Sequence, residues 1–153
     1  MKKIAQQYND YIYPKPIANM QKAISEDGYV DISNADLFWE KFYPEKEYKN
    51  SLNVFIAGCG TNQPIYFGLS NPNWNIYAID LSENSIAYVK EKLIENNIKN
   101  VQIEKQNILD TNFKNEFELV ISTGVIHHTK EPQTTLKKLV DATSGDGALS
   151  IMV

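Results

Sequence analysis

The chain has 153 residues, which fits one domain, and 42% of them are hydrophobic, which is ordinary for a protein that buries a core. Its formal charge is −4 and its 15 basic residues are all lysine, which argues against direct nucleic-acid binding, since arginine is the preferred side chain there. No window approaches the roughly 18 unbroken apolar residues of a membrane-spanning helix, so we expect no membrane association.

The cysteine and histidine content bears on the compartment and on metal binding. Cys59 is the single cysteine and cannot form an internal disulfide, which favours a reducing, cytoplasmic setting. We interpret Cys59 as a small residue in a tight loop rather than as a catalytic thiol. Two histidines and one cysteine are too few for a typical structural zinc site, so we predict no metal.

Residues 1–50 form an N-terminal segment ahead of the main alternating pattern. Its aromatic and proline-rich stretch contains Tyr8, Tyr11, Tyr13, Pro14 and Pro16. We predict a short helix over 17–25 and a second from Ala35 to Tyr43. Asn34 caps the second helix, and its apolar side consists of Leu37, Phe38, Trp39 and Phe42. A proline and a charged run over 44–50 end the segment.

Residues 51–153 alternate between strand and helix signals. The predicted strands are Leu52–Ala57, Asn75–Asp80, Val101–Lys105, Glu118–Ser122 and, after a turn at Gly145 and Gly147, Ala148–Val153. Helices are predicted from Gln63 to Leu69, from the cap Ser82 to Asn96, and from Pro132 onward. Their apolar positions are Ile86, Val89, Leu93 and Ile94 in the middle helix, and Leu136, Leu139 and Val140 in the last. This order indicates an α/β fold, a doubly wound, Rossmann-like and mostly parallel sheet.

Ligands on such sheets bind at the carboxyl ends of the strands, beside the first strand. There, Gly58 and Gly60 allow a sharp turn and close approach of a ligand, and the N–H groups of the following helix attract an anion. A dinucleotide fingerprint would need a third glycine where Gln63 stands, and the Gly-Lys-Ser/Thr phosphate loop is absent. The alternative is a plain strand-to-helix turn without a ligand.

The second and third strands end in polar residues. Asp80 lies 22 residues after Gly58 (80 − 58), a spacing that suits an acid bound to a ribose diol. A solvated acid before a helix is the alternative, although Ser82 already provides the cap. After the third strand, Asn107 is placed to read an adenine edge and Ile108 to cover the ring, unless Asn107 is an ordinary loop residue.

The fourth strand leads into two adjacent histidines, His127 and His128, near the reactive end of such a site. Histidine is the side chain most easily poised as a base near neutral pH. A purely structural role for both is the alternative. His127 and Glu131 could meet across one helical turn, but two ligands without a third do not make a metal site.

This pattern resembles the class I S-adenosylmethionine-dependent methyltransferases over roughly residues 52–153. The first motif corresponds to Val54 through Thr61, the ribose-binding acid to Asp80, and the segment bordering the substrate to Ser122 through His128. The resemblance implies S-adenosylmethionine as cofactor, held by Ala57, Gly58, Cys59, Gly60, Asn62, Gln63, Asp80, Leu81, Asn107, Ile108 and Thr123.

The chain departs from the family pattern at four places. Ile56 and Asn107 stand where the family often has an acid. Asn62 stands at the usual third glycine, and the turn is expected to survive because Asn tolerates the left-handed conformation. The chain also stops in strand five, so we expect a truncated sheet, a fragment or one completed by a partner, whose apolar edge invites self-association.

The resemblance implies methyl transfer to an unidentified acceptor, by default a small molecule. His127 or His128 would remove an acceptor proton, and residues 1–50 would form a lid or part of the acceptor region. Two alternatives stay open. One is an NAD(P)-binding oxidoreductase domain, and the other is a cofactor-binding or assembly module without catalysis.

Overall fold

The computed structural model describes residues 14–153, so Tyr8, Tyr11 and Tyr13 of the aromatic stretch lie outside the described residues. Its strands are β1 (Asn53–Ala57), β2 (Asn75–Asp80), β3 (Val101–Lys105), β4 (Phe117–Thr123) and β5 (Thr143–Met152). They form one all-parallel sheet in the order β3-β2-β1-β4-β5. The predicted α/β, doubly wound sheet is confirmed.

Helices flank this sheet. They are α1 (Met20–Ser25), α2 (Trp39–Phe42), α3 (Gln63–Ser70), α4 (Glu83–Glu95) and α5 (Pro132–Ala142), with 3₁₀ turns at Ile108–Asp110 and Ile126–His128. No helix within residues 14–153 combines the length and the apolar character needed to cross a membrane.

The position of β1 in the sheet creates the crevice that matters for function. β1 pairs with β2 on one side and with β4 on the other, so the chain reverses its direction of winding there. Four of its five residues are buried, because helices cover both faces of a parallel sheet. Loops that leave adjacent strand ends at such a reversal diverge and open a cleft between them.

Two hydrophobic clusters lie on opposite faces of the sheet, since successive strand residues point to opposite sides. Val54 and Ile56 of β1 belong to one cluster, together with Phe67 and Trp74, whose rings stack 6.0 Å apart. Phe55 and Ala57 belong to the other, with Leu139 of α5. The cluster that contains Val54 also takes in Met20, Ala23, Ala35 and Tyr43, so the segment before residue 50 packs on the same core.

The structure corrects the apolar faces predicted for two helices. In α4, Ile86, Val89 and Leu93 are buried as predicted, but Ile94 is 81% exposed. In α5, Leu139 is buried, whereas Leu136 and Val140 are exposed. The face of α5 that packs inward is instead Thr135, Leu139 and Ala142, and the exposed pair follows one residue later, about 100° around the helix.

Two element boundaries in the sequence prediction are also wrong. The second N-terminal helix is only the four residues of α2, because residues 35–38 form turns instead of helix. The Oδ1 of Asn34 accepts from the N–H of Asp36 (3.1 Å), and its amide group donates to the Tyr66 hydroxyl (3.2 Å). Leu37 is exposed and does not share an apolar side with Trp39 and Phe42. β5 begins at Thr143 instead of Ala148, but its pairing with β4 shifts register before Ala148, so regular pairing starts where it was predicted.

β5 lies at one edge of the sheet in the described part of the chain, beside β4. Its last apolar residues, Ile151 and Met152, are exposed. Association through this edge stays a prediction.

Tyr43 ties the N-terminal segment to the sheet. Its hydroxyl donates a 2.6 Å hydrogen bond to the backbone carbonyl of Glu118 at the start of β4. Burial, reinforced by the carboxylates of Glu118 and Asp146, raises the pKa of Tyr43 far above its ordinary value of 10.0. The folded state therefore holds the hydroxyl in its protonated, donating form.

We expect Tyr43→Phe to lower the free energy of unfolding at neutral pH by about 1 kcal/mol, because one buried hydrogen bond is lost while the ring stays. A raised folded-state pKa contributes stability that is complete below pH 10 and is lost as the pH rises toward the folded value. The advantage of wild type over the variant should therefore shrink above pH 10. Urea unfolding across pH measures both effects.

Tyr48→Phe is the matched control, since Tyr48 is exposed and its loss should cost less than about 0.5 kcal/mol. An unchanged stability in Tyr43→Phe at pH 7, or an advantage that persists undiminished in strong alkali, would contradict the assignment.

Candidate functional site

A cleft of about 380 Å³ opens at the carboxyl ends of the strands. The loops after β1, β2, β3 and β4 all contribute to it, and the N-terminal segment adds Pro14, Tyr29 and Asp31. Ten of the eleven residues predicted to hold the cofactor and one of the two predicted histidines line the cleft: Gly58, Cys59, Gly60, Asn62, Gln63, Asp80, Leu81, Asn107, Ile108, Thr123 and His128.

 Two predicted site residues, Ala57 and His127, do not line the cleft.

Ala57 lies outside the cleft because its side chain packs in the core. Its side chain is fully buried in the cluster that contains Phe55 and Leu139, on one face of the sheet. The residues that sequence reasoning missed are Pro14, Tyr29, Asp31, Ser85, Gln106, Leu109, Gly124, Val125, Thr129, Lys130 and Met152. Those next to predicted residues could have been found by extending each strand-end segment. Tyr29 and Asp31 carried no such signal, because they come from a distant part of the chain.

The loop after β1 depends on its two glycines. Gly58 and Gly60 both adopt left-handed backbone conformations, with φ of +74° and +57°. A Cβ on Gly58 would lie 2.4 Å from Cγ2 of Val125, closer than any real contact. The N–H groups of Gly58 and Cys59 both donate to the carbonyl of Ile79, which anchors the loop to β2.

Asp80 joins the tip of β2 to the same loop. Its Oδ2 accepts a 2.8 Å hydrogen bond from the N–H of Gly60, and its Oδ1 accepts one of 2.8 Å from the N–H of Ser82. A carboxylate has about four lone-pair sites, so two bonds leave acceptor capacity for hydroxyl groups in the cleft. Ser82 caps α4 as predicted, since its Oγ accepts from the N–H of Ser85 (3.2 Å).

The Cys59 side chain is buried next to this carboxylate. Burial, and secondarily the negative charge of Asp80, raise the pKa of its thiol well above the ordinary value. A protonated, inaccessible thiol is a poor nucleophile. This environment agrees with the interpretation of Cys59 as a small loop residue.

Asn62 does not replace the missing third glycine by turning left-handed. Its φ and ψ are −94° and −39°, which are right-handed helical values at the start of α3. Its side chain instead holds the N-terminal segment, accepting from the N–H of Ile17 (3.0 Å) and donating to the carbonyl of Lys15 (3.1 Å). The hydroxyl of Thr61 donates to the carbonyl of Pro14 (2.8 Å) and completes this clamp.

Gln63 connects three parts of the cleft. Its Nε2 lies 3.2 Å from Oδ2 of Asp31 in the N-terminal segment and 3.3 Å from Oγ1 of Thr123 at the end of β4. Both oxygens can accept from the amide group. The side chain at the position of a dinucleotide-binding glycine is therefore an organising hydrogen-bond donor.

One half of the cleft is formed by the loops that follow β2 and β3. Asn107 caps the 3₁₀ turn there, because its Oδ1 accepts from the N–H of Leu109 (3.1 Å). Ile108 is buried and presents an apolar wall, with Leu81 on the neighbouring loop. This half of the cleft combines polar edges and apolar surface, as a heterocyclic ring requires.

The two histidines differ in their access to the cleft. Both are exposed, and their rings lie 3.9 Å apart between centroids, but His128 alone of the pair lines the cleft. In residues 14–153, no three His, Cys, Asp or Glu side chains gather in a way that could hold a metal ion.

Residues 55–149 match the family model described as a methyltransferase domain. A malonyl-[acyl-carrier protein] O-methyltransferase of Acetivibrio thermocellus is 27% identical over 103 residues, covering 67% of this chain and 35% of that protein. The chain thus spans about a third of the length of this curated relative.

Two solved structures share the fold. One is a coclaurine N-methyltransferase bound to N-methylheliamine and SAH, with a TM-score of 0.64, 15% identity, and coverage of 98% of this chain and 50% of that one. The other is the [4+2]-cyclase SpnF, with a TM-score of 0.70, 14% identity, and coverage of 98% and 59%. Identities this low show a common fold and leave the reaction to be argued from the site.

We expect Gly58→Ala to be strongly destabilising. A non-glycine residue in the left-handed region costs about 1–3 kcal/mol, and the contact with Val125 adds to that cost. Gly124→Ala should show the conformational cost alone, since its φ is +69° and no atom lies within 4 Å of the added carbon.

Gly145→Ala supplies the neutral reference, because Gly145 has open space and a φ outside the left-handed range. Urea unfolding should rank the losses Gly58 above Gly124 above Gly145. A Gly58→Ala protein as stable as Gly145→Ala would refute the described loop geometry.

Proposed function

Because this chain belongs to the class I S-adenosylmethionine-dependent methyltransferases, we propose that its cleft binds S-adenosylmethionine and that it transfers the methyl group to a small-molecule acceptor. The observation that carries the proposal is the pairing of the Asp80 carboxylate with the glycine loop inside one cleft at the strand ends. That arrangement offers acceptors for a ribose diol beside the first turn of α3, where backbone N–H groups attract a carboxylate.

The residues present fit this cofactor in size and chemistry. A volume of about 380 Å³ lies within the range of roughly 300–1,000 Å³ that is usual for small-molecule clefts. Asp80 keeps acceptor capacity for the ribose hydroxyls. Leu81, Asn107 and Ile108 supply the apolar walls and polar edge for adenine, and the start of α3 at Gln63 faces the methionyl end.

In the proposed complex, Asn107 would contact adenine with a side chain whose orientation is already restricted. Its carbonyl oxygen already caps the 3₁₀ turn through the Leu109 N–H. The capping bond fixes the orientation of the side chain, which lowers the entropy lost when the ring binds.

When bound, S-adenosylmethionine supplies a methyl group on an electrophilic sulfonium centre. The protein's contribution is to align the acceptor and exclude water. His128 lines the cleft near the end of β4 and would take a proton from the acceptor onto an imidazole nitrogen. His127 does not line the cleft, and we propose no direct role for it there.

The N-terminal segment, residues 1–50, would form part of the acceptor side or a lid over it. Pro14, Tyr29 and Asp31 line the cleft, and the Asn62 and Thr61 clamp holds the chain next to the glycine loop. We further propose a cytoplasmic setting, on the ground of the single, unpaired Cys59.

We expect calorimetric titration to show that S-adenosylhomocysteine binds the chain and that Asp80→Asn weakens binding at least tenfold, about 1.4 kcal/mol. The amide keeps the size of the carboxylate but cannot accept from Gly60, Ser82 and a ribose diol together. Asp110→Asn is the control, since Asp110 is exposed and does not line the cleft. Equal affinities of wild type and Asp80→Asn would defeat the assignment of Asp80.

The two histidines can be separated by NMR of their imidazole nitrogens during the same titration. The chain has two histidines, so a His127→Gln variant assigns both sets of signals. We expect the His128 signals to move on saturation with S-adenosylhomocysteine and the His127 signals to move less, because only His128 lines the cleft. Larger shifts at His127 would reverse their proposed roles.

A further inference from the structure

Asp31 is a carboxylate in the cleft that comes from outside the sheet. It lies in the N-terminal segment, is half-buried, and lines the cavity beside Tyr29. Its Oδ1 accepts from the N–H of Ser33 (2.9 Å), and its Oδ2 accepts from Nε2 of Gln63 (3.2 Å). Both oxygens are therefore held in place, and each retains a lone pair for a further donor.

The bond to Gln63 assigns Asp31 to one side of the cleft. Gln63 also reaches Thr123 at the end of β4, so Asp31, Gln63 and Thr123 form a row on the β4 side of β1. Asp80 lies at the end of β2, on the opposite side of β1. The two carboxylates thus serve different halves of the cleft.

Among residues 14–153, the formal charges that line the cleft are those of Asp31, Asp80 and Lys130, which sum to −1. A carboxylate that loses water inside a cleft needs a cation or several hydrogen-bond donors to offset the desolvation cost. A ribose diol supplies two donors to Asp80. From the described part of the chain, Asp31 receives one side-chain donor and one backbone N–H, which leaves room for a cationic partner.

The negative charge of Asp31 also affects the pKa of the neighbouring Tyr29. Burial first, and the Asp31 carboxylate second, raise the pKa of its hydroxyl above the ordinary value. Tyr29 therefore remains neutral and does not compete with Asp31 for a ligand cation.

We propose that Asp31 binds the α-ammonium group of the cofactor's methionyl end, and that the N-terminal segment thereby selects ligands that carry an amino acid. The inference rests on the proposed function, because it takes the cleft as the S-adenosylmethionine site. The row of Asp31, Gln63 and Thr123 receives the amino-acid end, and Asp80 receives the ribose. Recognition of the ammonium by this segment links the presence of the whole cofactor to the part of the chain that borders the acceptor.

The test compares two neutral-sulfur ligands that differ in the amino-acid end. S-adenosylhomocysteine carries the ammonium and carboxylate, and 5′-methylthioadenosine lacks both. Wild type, Asp31→Asn and the control Asp27→Asn are titrated with each ligand, and also with S-adenosylmethionine, by calorimetry. Asp27 lies in the same segment, is exposed and does not line the cleft, so its variant reproduces the charge change alone.

We expect Asp31→Asn to weaken S-adenosylhomocysteine binding at least tenfold and to change 5′-methylthioadenosine binding less than twofold. Retained binding of the truncated ligand shows that the variant is folded and its nucleoside half intact. Asp27→Asn should leave both affinities within twofold of wild type.

Three results would overturn the inference. The first is an Asp31→Asn protein that binds S-adenosylhomocysteine as wild type does, and the second is an equal loss for both ligands, which indicates a structural role. The third is a much larger loss for S-adenosylmethionine than for S-adenosylhomocysteine, which would assign Asp31 to the sulfonium. Wild type that binds neither adenosyl amino acid would instead end the proposed function, and this inference with it.

Discussion

The carboxylate of Asp80 holds together the two strand ends on which the cleft depends. It accepts from the N–H of Gly60 in the loop after β1 and from the N–H of Ser82 at the start of α4. The loop can meet it because Gly58 and Gly60 occupy left-handed conformations, and because Gly58 has no side chain where Val125 packs. One acid therefore shapes the loop and, in the proposed function, keeps lone pairs for the ligand.

The N-terminal segment completes the cleft through a second set of polar contacts. Asn62 and Thr61 bind the backbone of residues 14–17, while Gln63 binds the side chain of Asp31. These three residues directly follow the glycine loop, so the same stretch of chain that turns beneath a ligand also anchors the segment beside it. Position 62, which the family pattern usually gives to glycine, is used here for attachment.

Much of the sheet was predictable because its signals are local. β2 and β3 have the predicted boundaries, since β2 has an apolar centre between polar ends and β3 alternates between apolar and polar residues, and Ser82 caps α4 as expected. Short or irregular elements were predicted poorly. Residues 35–38 form turns around Asn34, whose backbone carbonyl and side chain accept from the N–H groups that follow it. The early part of β5 depends on its pairing with the distant strand β4.

The sequence by itself determined the fold class, the glycine loop and the acid at the end of β2, because strand periodicity, left-handed turns and residue spacing are written within short stretches of chain. Only the tertiary structure decided that Asp31 and Tyr29 join the cleft, that His128 lines it while His127 does not, and that Ala57 turns into the core. Those outcomes depend on how separate segments pack and on the direction in which each backbone carries its side chain. No local pattern specifies where a segment outside the strand alternation, such as residues 29–31, packs against the strand ends.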